Sequence, residues 1–270
     1  MINHHVYQFS LYLTTFFPSL LPMVEKFVHV LHYGAQGDGL SSRGVASGHT
    51  GLLMDCLYSQ FVNEWAISLD KGPEAITRLS KWLNHEADSG IPFSSKGVYV
   101  HAPIEVRVSD TSKYGPRPYL DFTESNGPTL FLNATLYRPY HRDPPAWRQY
   151  YEAFEWLMKD LGGRPHWAKN FQTVTTANLH TMYPNLKDFL AMRQELDPEG
   201  LFVGDWHRRL LLTDDILPAE ECKIKTEGND GDLLWYGNTR RKVGYVPSGE
   251  RSEFVSYETE KIRLIDDEDD

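Results

Sequence analysis

Glu105 and Arg107 stand two residues apart in APIEVRV, and Asn133 and Thr135 stand two apart in LNATLYRPY. Both stretches alternate apolar and polar residues, the period of a half-buried strand, so each pair points to one side of its own strand. If the strands pair, a carboxylate, a guanidinium, a carboxamide and a hydroxyl line one polar patch. Fixed cations in such a patch suit negative charge that develops on a substrate oxygen. The plainer reading is a solvated sheet face with a cross-strand ion pair, worth little energetically. A third candidate is GGRPHWAK, residues 162–169, where His166, Trp167 and Lys169 follow a glycine pair. A lysine beside an aromatic can polarise a substrate oxygen; it can also be a surface residue ending a loop.

The elements that must position these groups are legible as patterns. CLYSQFVNEWAISL, 56–69, predicts a strand with Phe61, Asn63, Trp65 and Ile67 on one face and Gln60, Val62 and Glu64 on the other. VYVHAPIEVRVS, 98–109, predicts a long strand with Val98, Val100, Ile104, Val106 and Val108 sharing a face, and Tyr99, His101, Glu105 and Arg107 opposite. Pro103 suggests an edge or a bulge there. TLFLNATLY, 129–137, predicts a further strand. A helix is expected from Pro73 with Ile76, Leu79 and Leu83 as its stripe. Another is expected after Asp143, capped by it, lined by Tyr151, Phe154, Leu157, Met158 and Leu161 and stopped by Gly162-Gly163. A third runs through LKDFLAMRQEL. Helices and strands without a βαβ rhythm imply an α+β fold, an antiparallel sheet with flanking helices.

Three segments are expected: an apolar helical lead-in with a Gly/Ser-rich loop (1–51), the sheet-and-helix domain (52–212), and an acidic, disordered tail (213–270). The chain carries a net charge of −10, and 16 acidic against 8 basic residues from Thr213 onward account for most of it. With no basic stripe, a nucleic-acid binder is not expected. Cys56 and Cys222 are the only cysteines, and no His/Cys spacing suggests a metal site. His29 and His32 read as helix-surface residues in an apolar run. The loop 35–51 has neither GxGxxG nor a Walker lysine, so no phosphate cradle is expected. The apolar run near the N-terminus is interrupted by Pro18 and Pro22 and falls short of the ~20 residues of a spanning helix. It predicts buried helices or, through residues 6–33, contact with a membrane or with a domain supplied elsewhere.

CLYSQFVNEW, APIEVRV, LNATLYRPY, GGRPHWAK, MYPNLKDF and MRQELDPEGLF occur here in the order and spacing of the sugar-lactone oxidases. Over about residues 5–211 the chain resembles the C-terminal part of the fungal D-arabinono-1,4-lactone oxidases, in the aldonolactone branch of the vanillyl-alcohol-oxidase flavoproteins. The resemblance implies a substrate (cap) domain built on an antiparallel sheet, joined in the family to an N-terminal FAD-binding domain that these residues do not contain. It implies oxidation of an aldono-1,4-lactone to D-erythroascorbate, with hydride passing to FAD and electrons to O2, giving H2O2. It also implies a mitochondrial, membrane-associated location; without it a cytoplasmic one would be expected. The family's Glu-x-Arg falls on Glu105 and Arg107, its polar-x-Thr pair on Asn133 and Thr135, and its His-Trp-x-Lys on His166, Trp167 and Lys169. Arg107, Lys169 and Glu105 are thereby implied as catalytic, Glu105, Arg107, Asn133 and Thr135 as substrate-binding, and Lys169 with His166 as facing the cofactor. The alternative is a non-catalytic cap or assembly module without flavin.

Overall fold

The computed structural model describes residues 2–33, 45, 47–51, 58–113 and 115–212. Cys56, most of the Gly/Ser-rich loop and the acidic tail lie outside the described residues. Residues Met1–Leu211 cluster as one compact unit.

Strands Gln60–Ser68 (β1), Glu105–Ser109 (β2), Thr129–Tyr137 (β3) and Arg164–Pro165 (β4) form one antiparallel sheet in the order β2-β3-β1-β4. Around it lie Ile2–Thr14 (α1), Leu21–Tyr33 (α2), Gly48–Gly51 (α3), Gly72–Leu83 (α4), Trp147–Asp160 (α5), Thr176–Met182 (α6), Leu186–Leu196 (α7) and Asp205–Leu210 (α8). The mixed helix and antiparallel-sheet class expected from the sequence is what the chain adopts.

The two long strands pair along their whole length, with Trp65 opposite Leu132 and Ile67 opposite Leu130. On the face toward α5, Phe61, Trp65, Ile67, Leu130, Leu132, Ala134 and Leu136 are buried together with Tyr151, Phe154, Leu157 and Met158 of that helix. Phe61 stacks on Trp147 at 4.6 Å, and the Tyr151 hydroxyl donates to the Phe61 and Ala134 carbonyls. Each aromatic or branched chain buried here contributes about 1.5–3 kcal/mol. Two glycines permit the close packing of helix on sheet. A Cβ on Gly72 would stand 2.6 Å from the Leu130 side chain, and one on Gly163 only 2.8 Å from both Ile67 Cγ2 and the Met158 carbonyl.

Several expectations are corrected. The strand predicted over 98–109 is paired only from Glu105. Ala102 turns the chain through a left-handed conformation (φ 68°) just before Pro103. His101 is therefore buried beyond the strand end, where its Nε2 accepts from the Tyr137 N–H at 2.7 Å. Because β2 is the edge strand, Val106 and Val108 stay about half-exposed even though they pair with the buried Leu132 and Leu130. In α4 the buried stripe is Ala75, Leu79 and Trp82, while Ile76 faces solvent. The Trp82 indole donates to the Phe93 carbonyl and fixes that phase. Asp143 does not cap α5: its carboxylate takes the Arg138 Nε at 2.7 Å, and the helix starts after Ala146 in a left-handed conformation. The helix stop is as expected, with Gly162 at φ 76° and the Gly163 N–H donating to the Met158 carbonyl.

Helices α1 and α2 are separated by a short turn at Pro18–Leu20 and joined by the Tyr7 hydroxyl, which donates to Glu25 Oε1 at 2.9 Å. No helix among the described residues is long and apolar enough to cross a membrane.

Burial lowers the His101 imidazole from 6.5 to about 4. The folded value lies below the unfolded one, so between those limits the unfolded chain binds a proton that the folded chain refuses. Stability is then complete above about pH 6.5 and falls on acidification to about pH 4, by on the order of 3 kcal/mol. Urea titrations across this range should record that slope. His101→Gln, which keeps an acceptor but cannot titrate, should flatten it.

Candidate functional site

One row of residues crosses the sheet on the face opposite α5. Asn133 in the central strand β3 lies opposite Glu105 of β2 on one side and Glu64 of β1 on the other. The row continues to His166, whose N–H donates to the Glu64 carbonyl at 2.9 Å. Alternation places Arg107, Phe131 and Thr135 on the same face. The two polar pairs do meet, and they meet around a residue that neither pair contains.

That residue is Glu64. Its side chain is fully buried, and both carboxylate oxygens are used. Oε1 is paired with Arg107 Nη2, while Oε2 accepts from Asn133 Nδ2 at 3.2 Å and lies 3.8 Å from Lys169 Nζ. Arg107 in turn places its Nε 3.4 Å from Glu105 Oε1. Asn133 is held in one orientation, because Thr135 donates to its Oδ1 at 3.0 Å while its Nδ2 also reaches Glu105 Oε2 at 3.4 Å. The Arg107 guanidinium lies over the Phe131 ring at 5.7 Å. The Arg107 side chain is 51% exposed, Glu105 44% and Lys169 29%, so these three are reachable from the open side while Glu64 is not.

Lys169 owes its place to the way the GGRPHWAK segment runs along β1. Arg164 and Pro165 pair with Ala66 and Trp65, His166 bonds to Glu64, and the chain then leaves the strand for three residues. It returns at Asn170, whose N–H donates to the Val62 carbonyl at 2.7 Å while its Oδ1 accepts from the Val62 N–H at 3.1 Å. The excursion holds Trp167 and Lys169. Trp167 is anchored by its indole N–H on the Leu120 carbonyl at 2.8 Å and by the Tyr183 ring at 4.8 Å. The His166 ring lies 4.7 Å from Phe122, and burial is the main cause holding its imidazole below the usual value.

Behind β1 a second buried carboxylate completes the support. Glu155 of α5 accepts from the Gln172 and Thr173 N–H groups and the Thr173 hydroxyl, each at 2.7 Å, and from Asn63 Nδ2 at 2.6 Å. Burial raises its pKa, against the lowering effect of those donors. Glu64, Glu155 and Asn170 were not singled out by spacing. The signal that existed for Glu64 was an acidic residue inside a strand flanked by Val62, Trp65 and Ile67, but only the strand register reveals its partners. No cluster among the described residues has the ligands for a metal ion.

The family model of D-arabinono-1,4-lactone oxidase matches residues 1–210. A putative D-arabinono-1,4-lactone oxidase of Neurospora crassa is 46% identical, covering 84% of this chain and 44% of its own length. The D-arabinono-1,4-lactone oxidase of Yarrowia lipolytica is 32% identical over 69% of this chain and 45% of its own. An L-gulonolactone oxidase of Scyliorhinus torazame is 28% identical, with 76% and 42% covered. The chain spans less than half the length of these curated relatives.

Two substitutions test the scaffold. Glu155→Gln turns one acceptor into a donor facing the Thr173 N–H, and should lower unfolding free energy by about 2 kcal/mol or more in chemical denaturation. Gly163→Ala forces a methyl against a backbone carbonyl and should cost about 1–3 kcal/mol. A melting temperature unchanged in either variant would contradict the packing described.

Proposed function

The chain belongs to the D-arabinono-1,4-lactone oxidase family, and on that premise we propose that it supplies the substrate-facing wall of an FAD-dependent aldonolactone oxidase. The observation that carries the proposal is the open-faced cluster in which Arg107 and Lys169 are both tied to one buried carboxylate beside Glu105, Asn133 and Thr135.

The donor set fits a flavin on its uncovered side. Arg107 and Lys169 present N–H groups there, suited to ring carbonyl oxygens, and His166 lies next to them on the same row. When bound, FAD accepts a hydride from the lactone carbinol carbon and passes the electrons to oxygen, giving H2O2. The chain's own residues prepare that carbon. Loss of hydride becomes easier as negative charge grows on the carbinol oxygen, and Arg107 and Lys169 are fixed cations that stabilise such charge without reorganising. Glu105 accepts hydrogen bonds from other lactone hydroxyls and holds the Arg107 Nε. Asn133 and Thr135 position further hydroxyls of the ring. Glu64 keeps Arg107 and Lys169 within one charge cluster, so binding does not have to gather them.

The flavin-binding part of the enzyme docks, in this reading, on the apolar side chains exposed by α1, α2 and the turn between them, among them Phe9, Phe17, Met23 and Phe27. A mitochondrial, membrane-associated location belongs to the same proposal and rests on the sequence resemblance alone.

The test is to co-express the chain with the flavin-binding part of the Neurospora crassa relative and to measure lactone-dependent peroxide. Arg107→Ala should lower turnover by about a hundredfold or more with the flavin still bound. Near-normal turnover in that variant would remove Arg107 from the chemistry. A folded assembly that carries flavin but makes no peroxide would favour a non-catalytic cap.

A further inference from the structure

The charged groups of the site alternate in sign along one line: Lys169, Glu64, Arg107, Glu105. Neighbours touch at each step, Lys169 Nζ lying 3.8 Å from Glu64 Oε2, Arg107 Nη2 pairing with Glu64 Oε1, and Arg107 Nε standing 3.4 Å from Glu105 Oε1. The two cations and two carboxylates cancel. His166 adds no charge at neutral pH, since burial holds its imidazole below the usual value. We infer that this balance selects the ring-closed, neutral lactone against its open-chain hydroxy acid. The inference rests on the lactone-oxidising reading and adds a selectivity to it.

A 1,4-lactone adds water across its ester. The acyl C–O bond breaks, the ring oxygen becomes a hydroxyl, and the new carboxylic acid gives its proton to water. The two forms share their remaining hydroxyls, so hydrogen bonds to hydroxyls barely separate them. They differ by one full negative charge. A site with a free arginine or lysine would prefer the acid, because a guanidinium binds a carboxylate with two parallel charge-assisted bonds.

Here that preference is cancelled from within. Glu64 already occupies the inner side of Arg107 and stands beside Lys169, and its complete burial leaves its charge little screened by solvent. Asn133 ties Glu64 to Glu105, so the carboxylates cannot separate to admit a third. An entering carboxylate must compete with the buried Glu64 for the reachable Arg107 and Lys169, or sit beside Glu105, and like charges brought together are a repulsive element of specificity. A neutral lactone meets neither obstacle.

The readout needs no flavin. NMR chemical-shift titrations of the 270-residue chain with sodium D-arabinonate, and separately with D-arabinono-1,4-lactone, give the two affinities. The wild-type chain should favour the lactone. Glu64→Gln leaves one positive charge unbalanced and should raise the ratio of arabinonate to lactone affinity by about tenfold or more. Glu105→Gln, at a half-exposed position where folding is secure, should shift the ratio in the same direction by less, because solvent screens that charge. It carries the test if melting curves show Glu64→Gln unfolded. A ratio that moves in neither folded variant overturns the inference, as does a wild-type chain that prefers arabinonate. Selectivity that shifts as expected, with no peroxide from the assembled enzyme, would remove the oxidase reading alone. Peroxide production with an unmoved ratio would remove the selectivity alone.

Discussion

A carboxylate taken fully out of water must find its compensation nearby, and in this chain Glu64 finds it in three separate segments. The uncompensated burial of a charge would cost several kcal/mol, more than a marginally stable domain can absorb. Arg107 from the edge strand, Asn133 from the central strand and Lys169 from the loop after α5 are therefore drawn to one point. Their convergence adds a side-chain tie to β2, which pairs with β3 along all five of its residues but sits at the sheet edge and leaves both its valines half-exposed. The same convergence turns three scattered sequence features into one surface.

Glu64 has a neighbour in the opposite sense. Asn63 precedes it on β1, is as deeply buried, and by strand alternation points to the helical side, where it donates to Glu155. One dipeptide thus holds the site on one face and its support on the other. The segment from Gly163 to Thr173 is pinned at successive points by this arrangement: at the helix stop, along β1 at His166 and Asn170, and on Glu155 at Gln172 and Thr173. Only the few residues carrying Trp167 and Lys169 leave the strand. A flexible lysine becomes a positioned one because the backbone on both sides of it is fixed.

How much of this was legible in the sequence depends on whether one strand or several had to be known. Thr129–Tyr137 appears with the expected limits, and the glycine pair ends α5 as expected, since both signals are local. The pairs Glu105/Arg107 and Asn133/Thr135 follow from alternation within a strand, and the β2–β3 register brings them together. Glu64 sat on the face expected for it, yet nothing in one strand says what lies across from it. The first half of the 98–109 segment keeps the valine period but is not strand, because a left-handed turn at Ala102 interrupts pairing without disturbing the pattern. In α4 the buried stripe includes Ala75, too small to carry a hydrophobic signal, so the larger Ile76 misled the phase. Asp143 offered a cap, and Arg138 competed successfully for its carboxylate.

The central claim is that this polar row is the wall against which an aldonolactone lies. Its most direct test is a crystal structure of the chain assembled with the flavin-binding part of a relative and soaked with the 1,4-lactone. The account predicts lactone density over the row, with oxygens in hydrogen-bonding distance of Arg107 and Lys169 and hydroxyls against Glu105 and Asn133. Lactone bound away from the row, or a row covered by protein in the assembled enzyme, would contradict it.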